Sequence, residues 1–233
     1  MANTRVKKGR HARGISRLQV VTAALAIIDA EGVEALTMRR LADFLGVYPT
    51  TIYWHAGNRS QLLAHVSHEV LSSIDVPHPG SVQWDEWVLK LAHAARSKFR
   101  QHPNLAADFA SRIHLTSTGM TMADKVLTVL EDAGFRDERL VFAYNTVLGG
   151  IFGWIAAEFA IEPSSEDRTK AEDLREAVLH APENLPTLHR NRAALADRAF
   201  MLRTSSGRTT PMDMSFDFAM KTMVAGLQVL AAE

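Results

Sequence analysis

The sequence predicts an all-α protein, with a small N-terminal head of short helices joined by a fourth helix to a larger C-terminal helical body. Runs of β-branched and aromatic residues alternating with polar ones, with hairpin turns between them, are absent. Helix-starting and helix-stopping residues recur instead, with apolar residues at spacings of three and four between them. At 233 residues and 47% hydrophobic, the chain can bury the cores of one large and one small domain.

Residues 1–15 are expected to form a flexible basic arm. Arg5, Lys7, Lys8, Arg10, Arg13 and Arg17 fall in the first 17 positions with no acid among them. The head is expected over 16–74. Ser16 opens a capping box with Gln19, and Leu18, Val21, Leu25 and Ile28 follow on one helical stripe until Gly32. Thr37 caps a short second helix, Met38 to Leu45, which Gly46 ends in a left-handed turn. Pro49 suits the first turn of a third helix that runs to His55 and stops near Gly57. Asn58 caps a fourth through N-R-S-Q, with Leu62, Leu63, Val66, Val70, Leu71 and Ile74 as its apolar side. Asp75 to Ser81 reads as a linker. The body, 82–233, is expected to hold helices near 83–101, 103–113, 118–133, 137–161, 165–180, 187–203 and 211–231, separated by prolines and Gly134. The third from last is the weakest, because Glu162 to Pro186 is polar and is expected to include loop.

The absence of cysteine excludes a disulfide framework, thiol catalysis and thiolate metal sites. No uninterrupted apolar run approaches the roughly 20 residues of a membrane span, and the basic N-terminus lacks the apolar stretch of a signal peptide. A soluble cytoplasmic protein is expected. Net charge is zero but unevenly placed. Residues 1–60 carry nine Lys/Arg against four Asp/Glu, so a basic head precedes an acidic remainder. That asymmetry suits a nucleic-acid partner at the head.

A short helix, a glycine turn and a second short helix are the parts of a helix-turn-helix, whose second helix enters the DNA major groove. Two turns of helix are unstable alone, so the first and fourth helices must supply the apolar faces. Residues 36–63, LTMRRLADFLGVYPTTIYWHAGNRSQLL, resemble the signature of the tetracycline-repressor (TetR) family, in its T-x-R opening, LADFLGV, T-x-Y-W-H, and the Asn-basic step before Leu-Leu. The resemblance implies a ligand-responsive repressor on double-stranded DNA. It also implies that Arg39, Tyr48, Pro49 and Thr50 meet base edges, and that Thr37, Thr51, Tyr53, Trp54, His55 and Arg59 meet phosphates. The chemistry agrees: Arg forks onto guanine, Thr and Pro pack on a thymine methyl, and hydroxyls and cations suit phosphate. Trp54 could instead be a packing residue. Pro49-Thr50 replaces the Gln-Pro pair of the tetracycline repressors, so a different operator is expected.

One head reads few base pairs, so a homodimer on a palindrome is expected. The helices near 137–161 and 211–231 are its candidates. The former carries LGGIFGW, where Gly149, Gly150 and Gly153 permit close backbone approach; the latter carries Phe218, Val224, Leu227 and Leu230. The resemblance implies that such helices pair in a four-helix bundle. An effector site is expected among Trp87, Phe109, Arg112, His114, Asn145 and Trp154, as an apolar lining with a few polar groups for a small, largely apolar or aromatic molecule. His114 falls where the tetracycline repressors place a magnesium-binding His, and otherwise reads as a satisfied buried histidine. Asp75, Leu91 and Val126 stand where their His, Asn and Gln would be, which argues against tetracycline itself. The fourth helix, running from the head to the body, would be the lever that carries ligand binding to the third.

An enzyme is the rival class, but nucleophile-elbow, Walker, H-E-x-x-H and dinucleotide motifs are absent. His65, His68 and Glu69 could be proposed as metal ligands, yet on an amphipathic helix they read better as a solvated face, and no metal or cofactor is expected. An architectural DNA-binding protein is the other alternative. The large acidic body argues against it.

Overall fold

The structure is a computed structural model and describes residues 14–106, 117–159, 165–199 and 212–232. Among them are 10 α-helices and no strand. The basic residues from Arg5 to Arg13 lie outside the described residues, as do Phe109, Arg112 and His114. The chain divides into two compact units, the first running to Ser73 and taking in Ser117–Gly119, the second containing the other described residues from Ile74 onward.

In the first unit, α1 (Arg17–Glu31) starts as its sequence dictates. The Ser16 hydroxyl accepts from the Gln19 amide, and the Gln19 side chain accepts from the Ser16 amide. After Gly32 comes a single 3-10 turn, Val33–Ala35, which the sequence pattern did not announce. Helix α2 (Met38–Leu45) is capped by the Thr37 hydroxyl at 3.0 Å from the Arg40 amide and ends at Gly46, whose φ of 69° is the left-handed stop expected there. Helix α3 (Pro49–Ala56) has proline in its first turn, and α4 (Arg59–Ser72) opens on an Asn58–Gln61 capping box. α4 stops two residues short of the expected Ile74. Val20, Ala24, Ile27 and Ile28 of α1 pack with Leu41 of α2, Ile52 of α3 and Leu62, Leu63, Val66 and Val70 of α4, all fully buried. No single element owns this core, which is why helices of eight residues are stable here.

The second unit is built from longer helices: α5 (Trp84–Gln101), α6 (Ser117–Asp132), α7 (Asp137–Glu158), α8 (Ser165–Leu179), α9 (Pro186–Arg198) and α10 (Asp213–Ala231). α5, α7 and α10 pack mutually through Trp87, Leu91, Ala95 and Phe99, Val147, Ile151 and Ile155, and Phe216, Met220 and Leu227. Phe99 and Phe152 meet edge to face at 6.2 Å. Of the helix expected at 103–113, the described residues hold a 3-10 turn over Pro103–Leu105 and the helical Ala106, and the rest lies outside them. α7 ends at Glu158 rather than 161, where its carboxylate turns inward to ion-pair. The polar stretch before Pro186 contains more helix than loop, since α8 packs on α9 around Ala181 and Ala196.

α7 qualifies the expectation about membrane spans. Although Tyr144-Asn145-Thr146 interrupts it, it is long and apolar enough by length and composition to cross a membrane, with a mean hydropathy of 1.6 over its most apolar 18 residues. Here it packs against α5 and α10 instead, burying Ala143, Val147, Ile151 and Ile155.

Candidate nucleic-acid interface

The residues expected to read DNA sit on the short helices for reasons local to the chain. Gly46 reverses the backbone after α2, and Val47 inserts into the core behind it. Tyr48 then occupies the N-cap of α3 in extended conformation, with no side chain capping that end. Ile52 and Ala56 fasten α3 to the core, four residues apart on one stripe. The opposite stripe is left to solvent. Tyr48, Pro49, Thr50 and Tyr53 are exposed, Trp54 is 81% exposed, and Thr51 and His55 are half-buried. Trp54 therefore does not pack in the core of this unit, and among the described residues its ring meets the edge of His55, at 4.6 Å.

At the start of α2, Arg39 is exposed and forms no hydrogen bond or ion pair with any described residue. Its neighbour Arg40 is engaged with Glu31 at 2.5 Å, and that hydrogen bond, with the guanidinium charge, holds the Glu31 carboxyl below the usual carboxylate range. The Thr37 hydroxyl accepts from a backbone amide as a cap, which leaves its own proton able to donate to a phosphate oxygen. A bare guanidinium, the hydroxyls of three threonines and two tyrosines, and a half-exposed imidazole around a two-turn helix can bind an anionic backbone and fork onto base edges.

Arg59 is placed differently from the other expected phosphate contacts. Its Nε donates to the Leu36 carbonyl and its Nη2 to the Val33 carbonyl, both at 2.8 Å, with Glu34 at 3.5 Å. These bonds tie α4 to the turn before α2 and leave the Nη1 hydrogens for other partners. Arg17, grouped in the sequence with the basic residues that precede it, is the first residue of α1 and donates from Nε to the His55 carbonyl at 3.0 Å. The pattern of local caps carried no signal of either bond. On α4, His65 is half-buried, and burial first, then Arg17 and His68, holds its imidazole below the ordinary histidine value. No group of three His, Asp or Glu among the described residues could hold a metal ion.

In the second unit Trp87 is wholly buried, and its indole N–H donates to the Pro77 carbonyl at 2.8 Å. Trp154 is half-buried, edge to face with Phe216 at 6.2 Å. Asn145 is separated from both. Two residues from buried Ala143 and Val147, it points to the other side of α7 and is exposed. That side also presents Phe142, Gly149 and Gly153, and α10 exposes Met214, Phe218 and Val229. Phe135, Arg139, Phe142, Thr146, Leu227 and Leu230 line an open groove of about 160 Å³ between these helices.

The sequence pattern missed the unit's one fully buried ion pair among the described residues. Arg96 of α5 donates from Nε and Nη2 to the Glu158 carboxylate, both at 2.7 Å, and from Nη1 to Asp213 at 2.8 Å. The Met212 amide adds a bond to Glu158, and Arg100 a second to Asp213. Burial alone would lower the Arg96 guanidinium, but these bonds outweigh it and hold it above its ordinary value. Its face rests on Phe216, 4.6 Å from the ring centre.

Known proteins match both units. Residues 20–66 match the family described as bacterial regulatory proteins, tetR family, and residues 76–231 match the tetracyclin repressor-like C-terminal domain. The class A tetracycline repressor protein from transposon 1721 of Escherichia coli is 36% identical over 155 residues, 64% of this chain and 69% of that one. The HTH-type transcriptional repressor DrrR1 of Streptomyces coeruleorubidus is 29% identical over 218 residues, 92% and 78% of the two chains. Among solved structures, the TetR family protein ActR of Streptomyces coelicolor in complex with actinorhodin superposes with a TM-score of 0.78 at 26% identity, covering 95% of this chain and 99% of ActR. With a helix-turn-helix head, an all-helical body and a family match over each, the chain belongs to the TetR family of bacterial transcriptional regulators and is not an enzyme.

Proposed function

We propose that this regulator is a cytoplasmic repressor that binds a palindromic operator as a homodimer and is released by a small, largely apolar or aromatic molecule. The observation that carries the proposal is the outer face of α2 and α3, where Arg39, Tyr48, Tyr53 and Trp54 stand in solvent around a two-turn helix. A run of exposed aromatics serves solubility poorly and a DNA groove well. In this reading Arg39, Tyr48, Pro49 and Thr50 meet base edges, Thr37, Thr51, Tyr53, Trp54 and His55 meet phosphates, and Arg59 uses only its remaining Nη1 hydrogens there.

Dimer formation is supported by the exposed apolar side of α7 and α10, where Phe142, Met214, Phe218 and Val229 lie beside Gly149 and Gly153. Effector release is supported by ActR, a 26% identical neighbour seen with actinorhodin and with (S)-DNPA. A molecule releases DNA only if it binds better to the form whose heads do not fit adjacent grooves. Selection of bound sequences from a random DNA pool tests the proposal. The expected product is an inverted repeat with half-sites about one helical turn apart. Enrichment of no sequence would favour an architectural role, and a lone half-site would overturn the homodimer.

A further inference from the structure

α3 is eight residues long, and its C-terminal carbonyls have no helical partner. The Tyr53 carbonyl accepts from Gly57 of the following turn at 2.9 Å, a bond within the chain's own local course. The His55 carbonyl accepts from Arg17, 38 residues earlier, at the first position of α1. A guanidinium on a helix C-terminus meets both a lone acceptor and the negative end of the helix dipole. The same cation contributes to the lowered titration of His65 on α4, so Arg17 stands near α1, α3 and α4 together. At its other end α3 has no side-chain cap. Among the described residues, Ile52 and Ala56 fasten it to the core, and this bond ties its C-terminal end to α1.

We infer that Arg17 is a positioning residue for DNA reading: it fixes α3 through the His55 carbonyl, and so sets where Tyr48, Pro49 and Thr50 meet the bases, rather than gripping a phosphate. The inference rests on the operator reading proposed above. Eight residues of helix span about 12 Å, so an axial shift at His55 is carried undiminished to Tyr48. Base contacts tolerate misplacement of only about 0.5 Å before discrimination suffers.

Two substitutions separate the bond from the charge. In Arg17→Gln the amide nitrogen lies as many bonds from Cα as the arginine Nε, so the donor is kept and the charge removed. In Arg17→Leu both are lost. The full-length protein would be measured on its selected operator and on a single-mismatch operator, across a salt series. The expected result is that Arg17→Leu loses roughly tenfold of the preference for operator over mismatch, the scale of one charge-assisted hydrogen bond. Arg17→Gln retains most of that preference, and neither variant changes the slope of log affinity against log salt. A phosphate contact would do the reverse: both variants would lower the slope by about one and leave the preference intact. That outcome overturns the inference, as does a Leu variant that discriminates like the unaltered protein. If the unaltered protein selects no sequence at all, the operator reading falls and this inference with it. Should Arg17→Leu fail to fold, Arg17→Ala takes its place as the variant that loses both donor and charge, and a preference there equal to that of the unaltered protein overturns the inference.

Discussion

In the head, two arginines donate to backbone carbonyls: Arg17 to that of His55 at the end of α3, and Arg59 to those of Val33 and Leu36 in the turn before α2. In the body, Arg96 is drawn into the core, where Glu158 and Asp213 neutralise it and the Phe216 ring covers its face. The difference follows from helix length. Two-turn helices expose most of their terminal polar groups and need closing from elsewhere in the chain. Helices of 18 to 22 residues such as α5, α10 and α7 leave the same few end groups, one of which Arg139 meets at the Leu230 carbonyl of α10, but most of their backbone is paired, and their problem is choosing one packing among many apolar ones. A buried, fully paired charge penalises every alternative register in which it would be unpaired.

The largest test of this contrast removes the partner of the buried cation. Glu158→Ala is expected to cost about 3–5 kcal/mol in denaturant unfolding, because Arg96 loses its buried bidentate partner and keeps only the exposed Asp213. The paired replacement Arg96→Met with Glu158→Leu should recover most of that loss in the same measurement. If it recovers none, the pair contributes more than its own neutralisation. On the head, Arg39→Ala should weaken operator binding by about 1–3 kcal/mol and relax one base preference, with unfolding unchanged, as read in a gel-shift series over operator variants. Asn58→Ala removes the α4 capping box, and a loss of about 1 kcal/mol in stability is expected by denaturant titration. The smallest effect concerns acid. The fold holds His65 below its ordinary value, so the unfolded chain binds its proton first as pH falls. The contribution of neutral His65 is complete above the ordinary histidine range and declines on acidification through that range. Thermal midpoints at neutral and mildly acid pH should fall further apart for the unaltered protein than for His65→Gln.

Much of the head was legible because its signals are local. Ser16-Gln19, Asn58-Gln61, Thr37, Gly46 and Pro49 each act within four residues, and the helix limits they predict agree with those observed within a residue or two. The exposed face of α3 was legible too, as an aromatic run. The side of α7 on which Asn145 stands was not legible, for the opposite reason. α7 is apolar on nearly every side, so its periodicity does not say which side is buried, and Asn145 was expected among interior groups although it faces out with Phe142 and Gly149.

The sequence by itself determined the all-helical class, the order and approximate limits of the helices, the split between a basic head and an acidic remainder, and the family. All of these depend on composition or on residues a few positions apart. Only the tertiary structure decided that Arg17 belongs to α3 as much as to α1, that Arg59 holds the turn before α2, and that Arg96 meets Glu158 and Asp213 across 62 and 117 residues. A guanidinium can reach any carbonyl or carboxylate that packing brings within 3 Å, and its own neighbours in the chain carry no mark of which one that will be.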